Sequence, residues 1–277
     1  MSIRRFVRGT VPWSDLEAVA RELRARDGAD ALRVEFLEAD NWFSTPMVVN
    51  DHWFVKVVSP QNAFVHSLFT GMRNLGVFSA GAEGFFEPFD DAVAMAEHEL
   101  EATERMRAAG LNAPEPVETF EVDGLGVLVL EYLPEFETLD DLPRDEIAAR
   151  APELFAALRT MHEHGLAHGD LRAENVIVHG GEFYYIDATK VREDDAAPAE
   201  DAARPAQAYD LACALAVLEP LVGADAAVRA ARETFDAREL LAAREFLDFV
   251  AIRPDHDFDA AALRGELEAA AGEDAAA

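Results

Sequence analysis

Strand-like and helix-like segments occupy different halves of this sequence, which narrows the folds open to it. Before about residue 132 the chain has short apolar or alternating runs typical of strands, at 33–38, 46–50, 52–58 and 120–132. From Arg144 onward the apolar residues recur at helical spacing. This separation predicts an α+β fold with two lobes, an N-terminal lobe over 1–131 and a C-terminal lobe over 132–277.

The predicted N-terminal lobe has two further features. A helix over about 91–109 is expected, because Gly110 and Pro114 provide a stop signal after it. The segment 59–91 is rich in Gly and Phe, has no clear period, and is predicted to be an insertion.

The formal net charge of −30 is extreme, and the sequence has two lysines, Lys56 and Lys190. So large a negative charge repels phosphate backbones and anionic lipids, so we expect neither non-specific nucleic-acid binding nor membrane binding. The composition resembles that of proteins from extreme halophiles and predicts a salt-adapted surface in a protein of a halophilic archaeon. A basic protein partner is the alternative explanation of the charge.

The compartment is predicted from cysteine use and from the apolar runs. The single cysteine, Cys213, cannot form an internal disulfide bond. No apolar run is long enough for a membrane span, and the first residues do not form a signal peptide. We therefore expect a cytoplasmic protein.

Oxygen-bearing side chains are spaced for phosphate chemistry in the stretch after residue 164. Asp170 follows His168 and Gly169, Asn175 lies five residues later, and Asp187 ends the next strand-like run. Two adjoining junctions of loop and strand can bring these side chains to one place. Carboxylate and amide oxygens are hard ligands that suit Mg²⁺.

This stretch resembles the catalytic loop of the protein-kinase-like superfamily, which reads H-R-D-L-x-x-x-N in protein kinases. His-Gly-Asp resembles the atypical branches: RIO kinases, Bud32 kinases, and aminoglycoside and choline phosphotransferases. The resemblance implies that Asp170 accepts the proton of a substrate hydroxyl and that Asn175 and Asp187 bind metal. It also assigns Arg172 as a charge clamp on the transferring phosphoryl group.

The resemblance extends upstream to a lysine and a glutamate. Lys56 lies within an apolar run and matches the strand lysine that contacts the α- and β-phosphates of ATP. A lysine in such a strand needs a counter-charge, and Glu99 in the following helix is the preferred partner. Spacing alone leaves Glu97 and Glu101 as rivals.

Three further sites follow from the same resemblance. The run that includes Glu131 and Leu133 resembles the hinge strand, whose backbone binds adenine. The loop between the first two strands has no glycine, so the hydroxyls of Ser44 and Thr45 are the candidates for phosphate contact. Asp210 resembles the helix aspartate that braces the catalytic loop.

Three functions are compatible with these motifs. The first is an atypical serine/threonine protein kinase or ATPase like RIO and Bud32, with ATP and Mg²⁺ as cofactors and an unidentified hydroxyl acceptor. The second is a small-molecule phosphotransferase. Thr189 stands where such enzymes often carry an acidic residue, and this favours the first. The third is a non-catalytic nucleotide-binding scaffold, an alternative motivated by the missing glycines.

Overall fold

The computed structural model describes residues 11–28, 30–37, 44–63, 89, 91–187, 192–193, 205–253 and 256–276. Contacts divide the chain into two compact units. Unit 1 comprises Met1–Met72, Glu87–Arg105 and Pro114–Pro134, and unit 2 comprises Arg73–Phe86, Met106–Ala113 and Glu135–Ala277. The boundaries predicted for the lobes and for the insertion at 59–91 stay predictions.

Unit 1 is built on an antiparallel sheet of five strands in the order β1-β2-β3-β5-β4. The strands are β1 (Val34–Phe36), β2 (Thr45–Val49), β3 (Trp53–Val58), β4 (Pro116–Val122) and β5 (Leu125–Glu131). Two helices accompany them, α1 (Trp13–Asp27) and α2 (Ala92–Ala108), the second of which continues into unit 2. Strands β4 and β5 form a hairpin that turns at Asp123 and Gly124, both with positive φ.

The sheet of unit 1 is covered on both faces, which explains why its central strands are apolar almost throughout. Val55 and Val57 of β3 pack in a cluster with Val19 and Leu23 of α1. The opposite face carries a second cluster, in which Leu128 and Leu130 of β5 meet Ala96 and Leu100 of α2 and Phe54 of β3. Because side chains alternate along a strand, Lys56 points to this second face, where α2 packs.

Unit 2 is mainly helical and carries two small sheets among its described residues. The helices are α3 (Arg144–Glu163), α4 (Pro205–Val222), α5 (Ala224–Arg232), α6 (Ala237–Arg244), α7 (Leu247–Ala251) and α8 (Ala260–Ala276). The strands are β6 (Glu137–Thr138), β7 (Leu166–Ala167), β8 (Val176–His179), β9 (Glu182–Tyr185) and β10 (Arg192–Glu193). They form sheets in the order β6-β8-β9 and β10-β7.

Two parts of unit 2 place the functional residues. The β8–β9 hairpin turns at Gly180 and Gly181, both at positive φ, and its register pairs Val176 with Tyr185. Helix α4 is buried along most of its length and forms the centre of the helical core. The α+β separation predicted from the sequence is therefore confirmed. No helix among the described residues is long and apolar enough to cross a membrane.

Candidate active site

In unit 1 the lysine of β3 forms a buried ion pair with the helix that covers it. Lys56 Nζ donates to Glu99 Oε1 at 2.6 Å, and the two side chains are 7% and 2% exposed. The Phe54 ring centroid lies 6.0 Å from the ammonium. A pair this deeply buried holds the ammonium group in one place.

The burial pattern of α2 explains why Glu99 is the partner. Ala92, Met95 and Ala96 are buried on the face of α2 that packs against the sheet, and Glu99 continues that stripe at helical spacing. The rival residues 97 and 101 are exposed. The apolar period of the helix could therefore have identified Glu99 from the sequence.

In unit 2 the loop after β7 is fixed by a buried aspartate of α4. Asp210 Oδ2 accepts a hydrogen bond from the backbone amide of His168, and Oδ1 accepts one from that of Gly169, both at 2.6 Å. Gly169 has a φ of 73°, which a glycine adopts without strain. The bracing role predicted for Asp210 is confirmed.

The His168 ring is buried. Its Nε2 lies 3.1 Å from the carbonyl oxygen of Ile186, so Nε2 carries the proton and donates. This bond ties the loop after β7 to the residue that precedes Asp187. His168 thus connects the loop that contains Asp170 to the strand end that contains Asp187.

Asp170 and Asn175 are joined directly. The Asn175 side-chain nitrogen donates to the Asp170 backbone carbonyl at 2.8 Å, and both side chains are buried. With its nitrogen engaged, the amide presents its oxygen as a possible metal ligand. The backbone carbonyl of Asn175 accepts from the Ile186 amide at 3.1 Å, so Asn175 and Asp187 lie at the same end of the β8–β9 hairpin.

Asp187 has a φ of 62°, a left-handed conformation that non-glycine residues seldom adopt. Such conformations cost about 1–3 kcal/mol and cluster at functional sites. Arg172 lies beside it, with Nη2 at 3.6 Å from Asp187 Oδ2 and Nε at 3.5 Å from Asp170 Oδ2. Arg172 also pairs with Glu174. The guanidinium of Arg172 therefore stands between the two carboxylates predicted for catalysis and metal binding.

Sequence reasoning missed Arg253 as a partner of Asp170. Arg253, which follows α7, donates from Nη2 to Asp170 Oδ1 and from Nη1 to the Tyr209 hydroxyl. All three side chains are buried. Nothing local in the sequence marks a contact across 83 residues.

The hinge and phosphate candidates lie in unit 1. Glu131 ends β5, where its amide donates to the Glu115 carbonyl at 2.8 Å, and Leu133 is buried just beyond. Thr45 begins β2. The Ser44 hydroxyl is buried and has no hydrogen-bond partner among the described residues. Residues 38–43 of the glycine-free loop, and Thr189, lie outside the described residues.

The donors in unit 2 fit a magnesium ion bound with phosphates. The part of the chain that the structure describes contains no group of three or more His, Cys, Asp or Glu side chains suited to hold a metal by themselves. Magnesium does not need one, since it usually binds through one or two carboxylates with substrate phosphates and waters. The Asp187 carboxylate and the Asn175 amide oxygen match that demand.

A known protein family matches the stretch of the chain that contains most of these residues. Residues 87–202 match the family model of the RIO domain, a stretch that contains Glu99, Asp170, Asn175 and Asp187. The chain is similar to the KEOPS complex subunit Bud32 of Pyrococcus abyssi (strain GE5 / Orsay), at 33% identity over 100 residues. That alignment covers 35% of this chain and 44% of the relative, so the chain spans less than half the length of the curated protein it matches. The RIO-domain match is consistent with the α+β, kinase-like fold described above.

Proposed function

We propose that this chain is an ATP-dependent phosphotransferase of the atypical serine/threonine kinase type, similar to RIO and Bud32 proteins. The observation that carries the proposal is the gathering of Asp170, Asn175 and Asp187 around one end of the β8–β9 hairpin, with the loop held by Asp210. The RIO-domain match over this stretch supports the same assignment.

Asp170 is the proposed general base. In the proposed step, a carboxylate oxygen of Asp170 takes the proton of an acceptor hydroxyl as that oxygen bonds to the γ-phosphorus. The bond between the γ-phosphorus and the bridging oxygen breaks, and ADP leaves with the bond's electron pair. Phosphoryl transfer depends mainly on positioning and charge neutralisation, so a rigid loop and a few charges suffice.

The remaining residues take the roles of binding and charge neutralisation. Asn175 and Asp187 would hold Mg²⁺, which when bound neutralises the charge of the β- and γ-phosphates. Lys56, fixed by Glu99, would contact the α- and β-phosphates. Arg172 would release the carboxylates when nucleotide binds and stabilise the transferring group.

The adenine contacts and the rest of the phosphate contacts are proposed in unit 1. The backbone of Glu131 and Leu133 would bind adenine. The Ser44 and Thr45 hydroxyls would replace the amides of a glycine-rich loop, and the unpartnered Ser44 hydroxyl supports this.

We propose a hydroxyl group of a protein as the acceptor of the γ-phosphate. Hydrolysis of ATP is the second possible reaction. The similarity to a subunit of the KEOPS complex supports a role within a protein assembly. We further propose that the protein works in the cytoplasm of a halophilic archaeon, which its net charge of −30 supports. A small-molecule acceptor would instead yield a labelled small product.

The proposal is tested by following labelled γ-phosphate from ATP with Mg²⁺ in high salt, alone and with candidate proteins. Asp170→Asn should keep nucleotide affinity and reduce turnover by about 10²-fold or more, the scale for loss of a general base. Asp248→Asn is the matched control, because that carboxylate is 80% exposed and pairs with Arg264 at 2.7 Å. Equal turnover of Asp170→Asn and wild type would contradict the assigned base, and magnesium-free ATP binding without turnover would favour a scaffold.

A further inference from the structure

Arg253 is a buried cation in unit 2 that the proposed mechanism leaves unused. Its side chain is 5% exposed and lies just beyond the C-terminal end of α7. Arginine is almost never buried to this degree unless it is paired. The partners of the Arg253 side chain therefore indicate its role.

The Arg253 guanidinium bridges two buried side chains. One nitrogen donates to Asp170 Oδ1, and another donates to the Tyr209 hydroxyl. Guanidinium is planar and presents its donors in a fixed fork, so holding both partners fixes its orientation. The position of one Asp170 oxygen is thereby set relative to Tyr209.

Tyr209 provides a rigid reference point for this bridge. It is fully buried in α4, one residue before Asp210. The centroid of its ring lies 6.1 Å from the ring centroid of Phe246, in an edge-on arrangement, and 5.5 Å from the ring centroid of Phe249. Aromatic contacts at these distances restrict the ring, so its hydroxyl cannot shift far.

The two oxygens of Asp170 therefore have different surroundings. Oδ1 is bound by Arg253, whereas Oδ2 faces Arg172 Nε at 3.5 Å. Helix α4 therefore contacts this loop in two ways. Asp210 binds the loop backbone directly, and Tyr209 binds Arg253, which in turn binds the Asp170 side chain.

We propose that Arg253 is a positioning residue for phosphoryl transfer, which binds Oδ1 of Asp170 so that Oδ2 is aimed at the acceptor hydroxyl. This inference rests on the proposed function, since it requires Asp170 to be the base. Arg253 itself contacts no reacting atom. A misplacement of about 1 Å at a catalytic group can cost about 10²-fold in rate, which sets the expected scale.

The test compares kcat and Mg²⁺–ATP affinity for two conservative variants. Arg253→Lys keeps the charge but loses the fork, and kcat should fall by about 10- to 100-fold while the Kd for Mg²⁺–ATP stays within about twofold. Tyr209→Phe removes one hydrogen bond of the bridge and should lower kcat by about 2- to 10-fold.

Arg159→Lys is the matched structural control. Arg159 also bridges two partners in unit 2, Glu239 at 2.7 Å and the Thr234 carbonyl at 3.0 Å. This variant should lower thermal stability and leave kcat within about twofold of wild type. A loss of kcat for Arg253→Lys no larger than that of the control would overturn the positioning role.

A double-variant cycle separates positioning from general damage. In an Asp170→Asn background, Arg253→Lys should reduce the residual turnover by less than about twofold, because the group it positions no longer acts as a base. If the fold-losses in turnover of the two single variants multiply in the double variant, the positioning role of Arg253 is refuted, while Asp170 can still be the base. Wild-type protein that binds ATP without turnover would instead refute the proposed function, and the role of Arg253 with it.

Discussion

Removing one partner of the Lys56–Glu99 pair should destabilise unit 1 severely, whereas removing both should not. Glu99→Leu removes the carboxylate that lies 2.6 Å from a buried ammonium group. At 2.6 Å and an effective dielectric constant near 20, the attraction lost is about 6 kcal/mol. Breaking buried ion pairs costs about 3–5 kcal/mol in practice. We therefore expect the unfolding free energy to fall by about 3–5 kcal/mol.

The double variant and an exposed pair give the controls. Lys56→Met with Glu99→Leu replaces the pair by apolar side chains of similar size and should recover most of the stability. The Arg26–Glu118 pair has nearly the same separation, 2.7 Å, but its side chains are 38% and 34% exposed. Glu118→Gln should therefore cost less than about 1 kcal/mol, and less still in 1 M salt.

Urea unfolding followed by tryptophan fluorescence measures these differences. A cost below about 1 kcal/mol for Glu99→Leu would refute the reasoning, because it would mean that the ammonium reaches water without its partner. The reasoning would also be refuted if the loss of unfolding free energy in the double variant equalled the sum of the losses in the two single variants, because the pair would then not be coupled.

Three further predictions concern packing and titration. Gly126→Ala places a methyl group 2.1 Å from a carbonyl oxygen at the start of α2 and should cost about 1–3 kcal/mol, while Gly265→Ala, in open space on α8, should stabilise by up to about 1 kcal/mol; urea unfolding compares them. Burial raises the pKa of Cys213 to about 12, so a thiol reagent at pH 8 should label it only after unfolding, and rapid labelling of native protein would contradict this. Burial raises the pKa of Glu239, but hydrogen bonds led by that from Arg159 outweigh it and hold the pKa below its ordinary value of 4.5. Glu239→Gln should thus be less stable than wild type at pH 7, with the difference shrinking as the pH falls below 4.5, and a constant difference would contradict it.

The features that the sequence predicted are those that depend on neighbouring residues, such as turns and the ends of strands. The hairpin at Asp123 and Gly124 and the paired junctions at Asn175 and Asp187 follow from turn residues beside apolar runs. Asp210 was identified through resemblance, and in the structure its carboxylate accepts hydrogen bonds from the backbone amides of His168 and Gly169. The choice of Glu99 was open by spacing, although the buried stripe of α2 distinguishes it.

The sequence did not predict the Arg253 bridge. It joins Asp170 and Tyr209 across 83 and 44 residues, and no period or turn signal connects such positions. A buried arginine also has the same appearance in sequence as the many arginines on this acidic surface. Such contacts depend on tertiary packing, which local pattern does not encode.

The most direct test of the account is the magnesium dependence of ATP affinity, measured by calorimetry in high salt. Wild-type protein should bind one ATP per chain more tightly with Mg²⁺ than without it. Asp187→Ala should abolish that difference. Lys56→Met combined with Glu99→Leu, the pair of changes expected to keep the fold, should weaken binding in both conditions, and Asp170→Asn in neither. An Asp187→Ala variant that keeps the full magnesium effect, or a Lys56→Met/Glu99→Leu double variant with unchanged affinity, would contradict the assignment of these residues to one nucleotide.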